Sequence, residues 1–166
     1  VVDARPAHLF RKGHLKGAIN IPLGKSFNTW LGTLLDPKEP YYLVVSSQPA
    51  YESAIDQVLA IGYEENLQGV YIGVEYTEES GPELFPDVER LRNDGRTYTV
   101  VDVRDPDEVG AQPLVPHAIH IRLAELRERA QEVPAGKPIA VHCAGGYRSA
   151  VGSSILLAAG KTPVYD

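Results

Sequence analysis

The sequence has one cysteine, Cys143, and no methionine in 166 residues. A single thiol excludes any disulfide within the chain and suits a reducing compartment such as the cytoplasm. No apolar run reaches the length of a membrane-spanning helix and no signal-peptide pattern is present, so no membrane attachment is expected. Lysine and arginine form no run, and 16 of them face 22 acidic residues for a net charge of −6. That balance argues against nucleic acid or an anionic membrane surface as partner. His8, His117 and His120 lack cysteine or carboxylate neighbours at metal-ligand spacing, so no metal is expected. The chain opens on Val1-Val2-Asp3 without an initiator methionine. Two readings stay open: a piece of a longer protein, or a sequence from which methionines have dropped out.

What is present is ordinary for a globular protein, with 43% hydrophobic and 23% charged residues and length for one domain or two small ones. The informative stretch is Ile139-Ala140-Val141-His142-Cys143-Ala144-Gly145-Gly146-Tyr147-Arg148-Ser149-Ala150. It reads as a buried strand, a glycine-bearing loop and a helix with Ser149 as its cap. Val151, Ile155, Leu156 and Leu157 continue at helical spacing, and Gly160 is the stop. A loop that wraps onto a helix start aims backbone N–H groups at one point, where the helix dipole also favours an anion. A cysteine held there is favoured as the nucleophilic thiolate. Gly145 and Gly146 permit positive φ and leave room above the sulfur. Arg148 either binds an anionic donor or braces the loop. A lone cysteine after an apolar strand is often a small buried hydrophobe, but the glycines, the arginine and the helix start together favour a reactive one. His142 precedes the cysteine and belongs to the opposite strand face, which suits packing better than base catalysis.

The chain also repeats itself. Val1-Val2-Asp3-Ala4-Arg5 returns as Val100-Val101-Asp102-Val103-Arg104, and Gly13 to Pro22 as the looser Pro113 to Ile121. Tyr41 to Val45 matches Ile139 to His142, and a helix ending Leu59-Ala60-Ile61-Gly62 matches Leu157-Ala158-Ala159-Gly160. A period near one hundred residues indicates a duplicated domain rather than a solenoid. Each copy alternates short β-rich runs with helical patterns, predicting an α/β fold with a mainly parallel sheet flanked by helices and ligands beyond the strands' carboxyl ends. The boundary falls in the acidic, turn-rich Glu75 to Pro82, giving domains 1–76 and 77–166, with Glu78 and Glu79 in a solvated linker. Pro86 to Asn93 reads as the opening helix of the second copy. The second copy is expected to stop at Asp166 short of its final element. Neither half carries a net positive charge, so any anion site has to be built locally. Phe27 and Trp30 are expected to pack the first copy, with a partner-facing role for them as the alternative, and His14 is expected to be structural.

These residues resemble the rhodanese family of sulfurtransferases in tandem arrangement. Asp102-Val103-Arg104, Gly17-Ala18-Ile19-Asn20-Ile21-Pro22 and Cys143-Ala144-Gly145-Gly146-Tyr147-Arg148-Ser149 look like its three usual signatures. The run Leu23 to Gly32 is similar to the first rhodanese copy of bacterial fusions that begin with a metallo-β-lactamase-fold, persulfide-dioxygenase-like module. No His-x-His-x-Asp-His motif occurs in the chain, so the iron or zinc of such a module would lie upstream of residue 1.

The resemblance implies that Cys143 takes a sulfane sulfur from thiosulfate or a thiol persulfide. It then holds the sulfur as a persulfide and passes it to sulfite, a thiol or cyanide, with no cofactor in this chain. It implies that the backbone amides of Ala144, Gly145, Gly146, Tyr147 and Arg148 cradle the persulfide and that Asp102, Arg104 and Ser149 give structural support. The first copy departs from the pattern: Ser47 is read in the place of Cys143, Glu52 in that of Arg148, and Pro49 in that of a loop glycine. It is expected to be inactive and retained for packing, docking or homo-oligomer assembly. In the second copy, Pro113 and Pro116 replace glycines. Fold relatives with cysteine-dependent phosphatase or arsenate reductase activity are the enzymatic alternative. They usually place five residues between cysteine and arginine, against four here. A regulatory or scaffolding module is the non-enzymatic alternative.

Overall fold

The computed structural model describes residues 1–73, 81–82 and 97–166. The chain divides into two compact units, Val1–Gly81 and Pro82–Asp166. Most of the expected linker, including Glu78 and Glu79, and the helix predicted over Pro86 to Asn93 lie outside the described residues.

The first unit runs β1 (Val2–Asp3), α1 (Ala7–Lys12), β2 (Ile19–Asn20), α2 (Phe27–Leu34), β3 (Tyr41–Val45), α3 (Gln48–Leu59) and β4 (Leu67–Ile72). Its sheet has the order β2-β1-β3-β4, with every pair parallel. The second unit runs β5 (Thr99–Asp102), α4 (Pro106–Ala111), β6 (Ile119–His120), α5 (Leu123–Arg129), β7 (Ile139–His142), α6 (Tyr147–Ala158) and β8 (Val164–Tyr165). Its order, β6-β5-β7-β8, repeats the first, again all parallel. Both copies are therefore α/β, as the alternation of apolar runs and helical patterns predicts.

Burial explains why the central strands read as unbroken apolar runs rather than alternating ones. A parallel sheet covered by helices is dry on both faces. All four residues of β5 are buried, as are Ile139, Ala140 and Val141 of β7. The edge strands are harder to read. β4 contains Gly69 and exposes Tyr71 and Ile72, and β8 spans two residues, so neither carries a strand signal in the sequence. Among the described residues no helix is long and apolar enough to cross a membrane.

Helix α6 sets the position of the Cys143 loop, and it is buried on nearly every side. Residues 149–156 are all buried. Its three buried serines satisfy themselves within the helix: Ser149 Oγ donates to the Gly146 carbonyl, Ser153 Oγ to that of Ser149 and Ser154 Oγ to that of Val151. Gly152 lets the helix approach this closely. A Cβ at that position would lie 3.2 Å from Leu126 Cδ2, Val103 Cγ1 and Val141 Cγ1, methyl groups from α5, the β5–α4 connection and β7. A glycine inside a helix costs about 1 kcal/mol relative to alanine, so the close approach is the gain set against that loss.

Gly152→Val is expected to destabilise the protein by about 2 kcal/mol or more through overpacking, measured by urea unfolding. Gly152→Ala should cost less, because it recovers about 1 kcal/mol of helix propensity.

Candidate active site

The all-parallel topology brings the carboxyl ends of β5, β6 and β7 to one edge, and Cys143 follows immediately on β7. The helix begins at Tyr147, not at Ser149, because Gly146 takes φ +84° and turns the chain into α6 directly. Ser149 is therefore not the cap; it lies in the first turn, buried. The turn folds the loop onto the sulfur: the Gly146 N–H donates to Cys143 Sγ at 3.1 Å. Ser149 Oγ lies 3.6 Å from Sγ and donates to the Gly146 carbonyl at 3.1 Å. Of the loop amides expected around the sulfur, Gly146's lies in hydrogen-bond distance of it. The thiol is half-buried, while Ala144, Gly145 and Gly146 are exposed. A Cβ at Gly145 or Gly146 would meet nothing within 4 Å. The space above the loop is therefore open, and of the two glycines Gly146 is required by its φ. Tyr147 is half-buried, and burial pushes its phenol up to about 12.

Arg148 is not an unengaged cation. Its Nη1 and Nη2 donate to Glu108 Oε2 and Oε1 at 2.6 and 2.8 Å, and Nη1 reaches Asp105 Oδ2 at 3.4 Å. Glu108 Oε2 also accepts the Asp105 N–H at 3.1 Å, capping α4. The Arg148 hydrogen bonds first, and the Asp105 N–H second, hold the Glu108 carboxyl down to about 2. Arg148 thus ties the start of α6 to the start of α4. The pattern Asp105-Pro106-Asp107-Glu108 is a legible capping signal, but nothing local announces a partner forty residues away.

Asp102 and Arg104 sit behind the loop as a buried pair. Arg104 Nη2 and Nε donate to Asp102 at 2.6 and 2.9 Å, the Arg104 N–H adds a bond to Oδ1 at 3.0 Å, and both Nη atoms reach the Gln112 carbonyl at 3.1 Å. Asp3 and Arg5 reproduce this, with Nη2 on the Gly13 carbonyl at 2.9 Å. Burial alone would raise the Asp102 carboxyl. The side-chain and backbone hydrogen bonds from Arg104, with the nearby charges of His142 and Arg104, outweigh it and hold the group below its ordinary 3.8. His142 Nε2 lies 3.4 Å from Asp102 Oδ2 without a hydrogen bond. Its burial pushes the imidazole toward the neutral form, against the pull of Asp102.

His120 and His14 belong to the frame. His120 Nε2 lies 2.8 Å from the Arg104 carbonyl, a place taken by Asn20 Nδ2 on the Arg5 carbonyl in the first copy. His14 stacks on Phe10 with ring centres 3.8 Å apart. Phe27 is in the core and Trp30 is half-buried. Among the described residues no cluster of three or more His, Cys, Asp or Glu side chains is placed to hold a metal ion.

The first copy needs a correction. Asp3 pairs opposite Val44 and Asp102 opposite His142, so Val45, not Ser47, holds the place of Cys143. Ser47 is the N-cap of α3, its Oγ accepting the Ala50 N–H, and corresponds to Gly146, the N-cap of α6. Between these fixed points stand Val45-Ser46 in one copy and Cys143-Ala144-Gly145 in the other. The loop is one residue shorter than in the second copy. By helix position Pro49, not Glu52, takes the place of Arg148. By the Asp–Arg offset, Leu9 takes that of Glu108.

Comparison with known proteins agrees with this duplication. The family described as Rhodanese-like domain matches residues 1–73 and again 85–166. A rhodanese-related protein from Thermoplasma volcanium is 32% identical over 51% of this chain and 81% of its own, with a TM-score of 0.45. The 3-mercaptopyruvate sulfotransferase SseA from Escherichia coli is 18% identical over 99% of this chain and 89% of its own, TM-score 0.45. A thiosulfate sulfurtransferase from Pseudomonas aeruginosa is 17% identical over 99% of this chain and 39% of its own, TM-score 0.44. No curated protein matches the chain.

The buried pair makes a pH prediction. A carboxyl lowered on folding contributes stability that is present above its ordinary 3.8 and is lost as pH falls through its folded value. Asp102→Asn is expected to lose about 3 kcal/mol or more at pH 7, because it leaves Arg104 buried without its counter-charge. It should also show a smaller further loss between pH 5 and pH 3 than the unaltered protein, read from urea unfolding at each pH.

Proposed function

Because the chain belongs to the rhodanese-like domain family, we propose that its second copy is a sulfurtransferase that carries a sulfane sulfur on Cys143. The observation that carries this reading is the Gly146 N–H set on Cys143 Sγ at 3.1 Å, at the carboxyl edge of a parallel sheet and the start of a buried helix. That donor is placed to hydrogen-bond the sulfur through the transfer.

In the first half-reaction the Cys143 thiolate attacks the outer sulfur of thiosulfate or of a thiol persulfide. The Sγ–S bond forms as the donor's S–S bond breaks, and sulfite or a thiolate leaves with the electron pair. In the second, a thiophilic acceptor (sulfite, a thiol or cyanide) attacks the outer sulfur of the persulfide and restores the thiolate. No external oxidant or reductant is needed, and the two half-reactions predict ping-pong kinetics. A phosphoryl-transfer reading is disfavoured by the four-residue spacing from Cys143 to Arg148 and by an arginine already paired with Glu108.

The first copy, with Val45 in the cysteine's place, is read as a non-catalytic packing or docking domain, and self-association of the chain is part of that reading. The similarity of Leu23 to Gly32 supports placing the chain beside a metal-bearing, metallo-β-lactamase-fold module that makes or consumes persulfides. The single thiol fits a reducing cytoplasm.

Incubation with thiosulfate or glutathione persulfide is expected to add one sulfur atom to Cys143, seen by mass spectrometry, and to give turnover with cyanide or sulfite. Cys143→Ser should abolish both. An intact fold without added sulfur from either donor would sink the proposal.

A further inference from the structure

Among the described residues, the Arg148 pairing beside Cys143 joins one cation to two anions. Arg148 is the cation, and its guanidinium is held in a two-pronged grip by Glu108 with Asp105 at its flank. The Arg104 guanidinium is buried and bound to Asp102. Among the described residues this cluster therefore offers an approaching donor no spare positive charge; Glu108 and Asp105 leave it with a surplus negative one. The two donor classes differ in how much this matters. Thiosulfate is a compact dianion whose charge lies on the sulfonate attached to the transferred sulfur, and its leaving group is dianionic sulfite. A thiol persulfide releases a thiolate with one charge and keeps its other charges several bonds away.

Resting on the sulfur-transfer reading, we infer that Glu108 is a specificity-determining residue: by neutralising Arg148 it turns the Cys143 site away from compact dianionic donors and toward thiol persulfides. The first copy supports the pairing of these two side chains. Where Arg148 is replaced by Pro49, Glu108 is replaced by Leu9, so neither charge is retained without the other. The N-cap of α1 is Pro6, which has no N–H for such a carboxylate to accept, so the first copy keeps neither of the glutamate's partners.

Glu108→Gln tests this with little structural disturbance. The amide oxygen still accepts the Asp105 N–H, and the side chain is partly exposed. Asp105→Asn is the milder companion, and thermal unfolding of both checks the fold. The measurement is kcat/KM for thiosulfate and for glutathione persulfide, each at low and high salt. The expected result is a gain of about tenfold for thiosulfate in Glu108→Gln, as one nearby charge is removed, with glutathione persulfide little changed and a smaller gain in Asp105→Asn. Added salt should raise thiosulfate turnover in the unaltered protein, where it screens repulsion, and change it less in Glu108→Gln, where the cluster carries no surplus charge. Equal losses for both donors would make Glu108 a brace of the loop only and overturn the inference, and so would an unchanged donor ratio. Absence of added sulfur on Cys143 from either donor in the unaltered protein would instead remove the sulfur-transfer reading, and this inference with it.

Discussion

Each copy hangs from a buried carboxylate–guanidinium pair at the carboxyl end of its central strand. The aspartate ends the strand; the arginine two residues on turns back, bonds both carboxylate oxygens, and spends its remaining donors on a carbonyl at the far end of the following helix. One interaction thus fixes the strand end, the helix after it and the angle between them. In the second copy that helix is α4, whose first turn carries Glu108, and the strand paired with β5 is β7, which delivers Cys143. Without this pair neither the nucleophile nor the residue holding Arg148 has a defined position. The pair is worth its desolvation because every donor and acceptor in it is satisfied.

Much of this was legible in the chain itself. The repeat of Val-Val-Asp-x-Arg, the apolar runs at Tyr41 and Ile139 and the glycine stops announce a duplicated parallel α/β fold, and the structure has it. The outer strands β4 and β8 are not legible, because the one exposes half its length around a glycine and the other spans two residues. The helix start was misplaced by two residues because serine is a stronger cap signal than glycine. Gly146 acts through its backbone alone, which a propensity argument does not rank highly.

The site was legible in its parts and not in its pairings. Cys143, the glycines and Arg148 stand together in sequence and together in space. The grip of Glu108 on Arg148 joins residues from different helices, and only the register of β5 against β7 brings them into reach. The same register exposed the misalignment of Ser47. Residue type suggested serine for cysteine, a conservative exchange; backbone position shows valine for cysteine and a loop one residue shorter.

That shorter loop bears on whether the loss of chemistry in the first copy can be reversed. Cys143 stands beyond the last paired residue of β7, outside the ladder. Val45 is still inside its ladder, paired with Ile72 and with its carbonyl bonded to the Gly73 N–H at 2.9 Å. A thiol introduced there would belong to the sheet and not to the loop, with no αL turn to fold an amide onto it. Recovery needs an inserted residue, a glycine cap and a released strand end at once, three changes of no use singly. The two copies are therefore separated by a difference in length that point substitution cannot cross, which leaves the first copy committed to whatever role its surface has taken up.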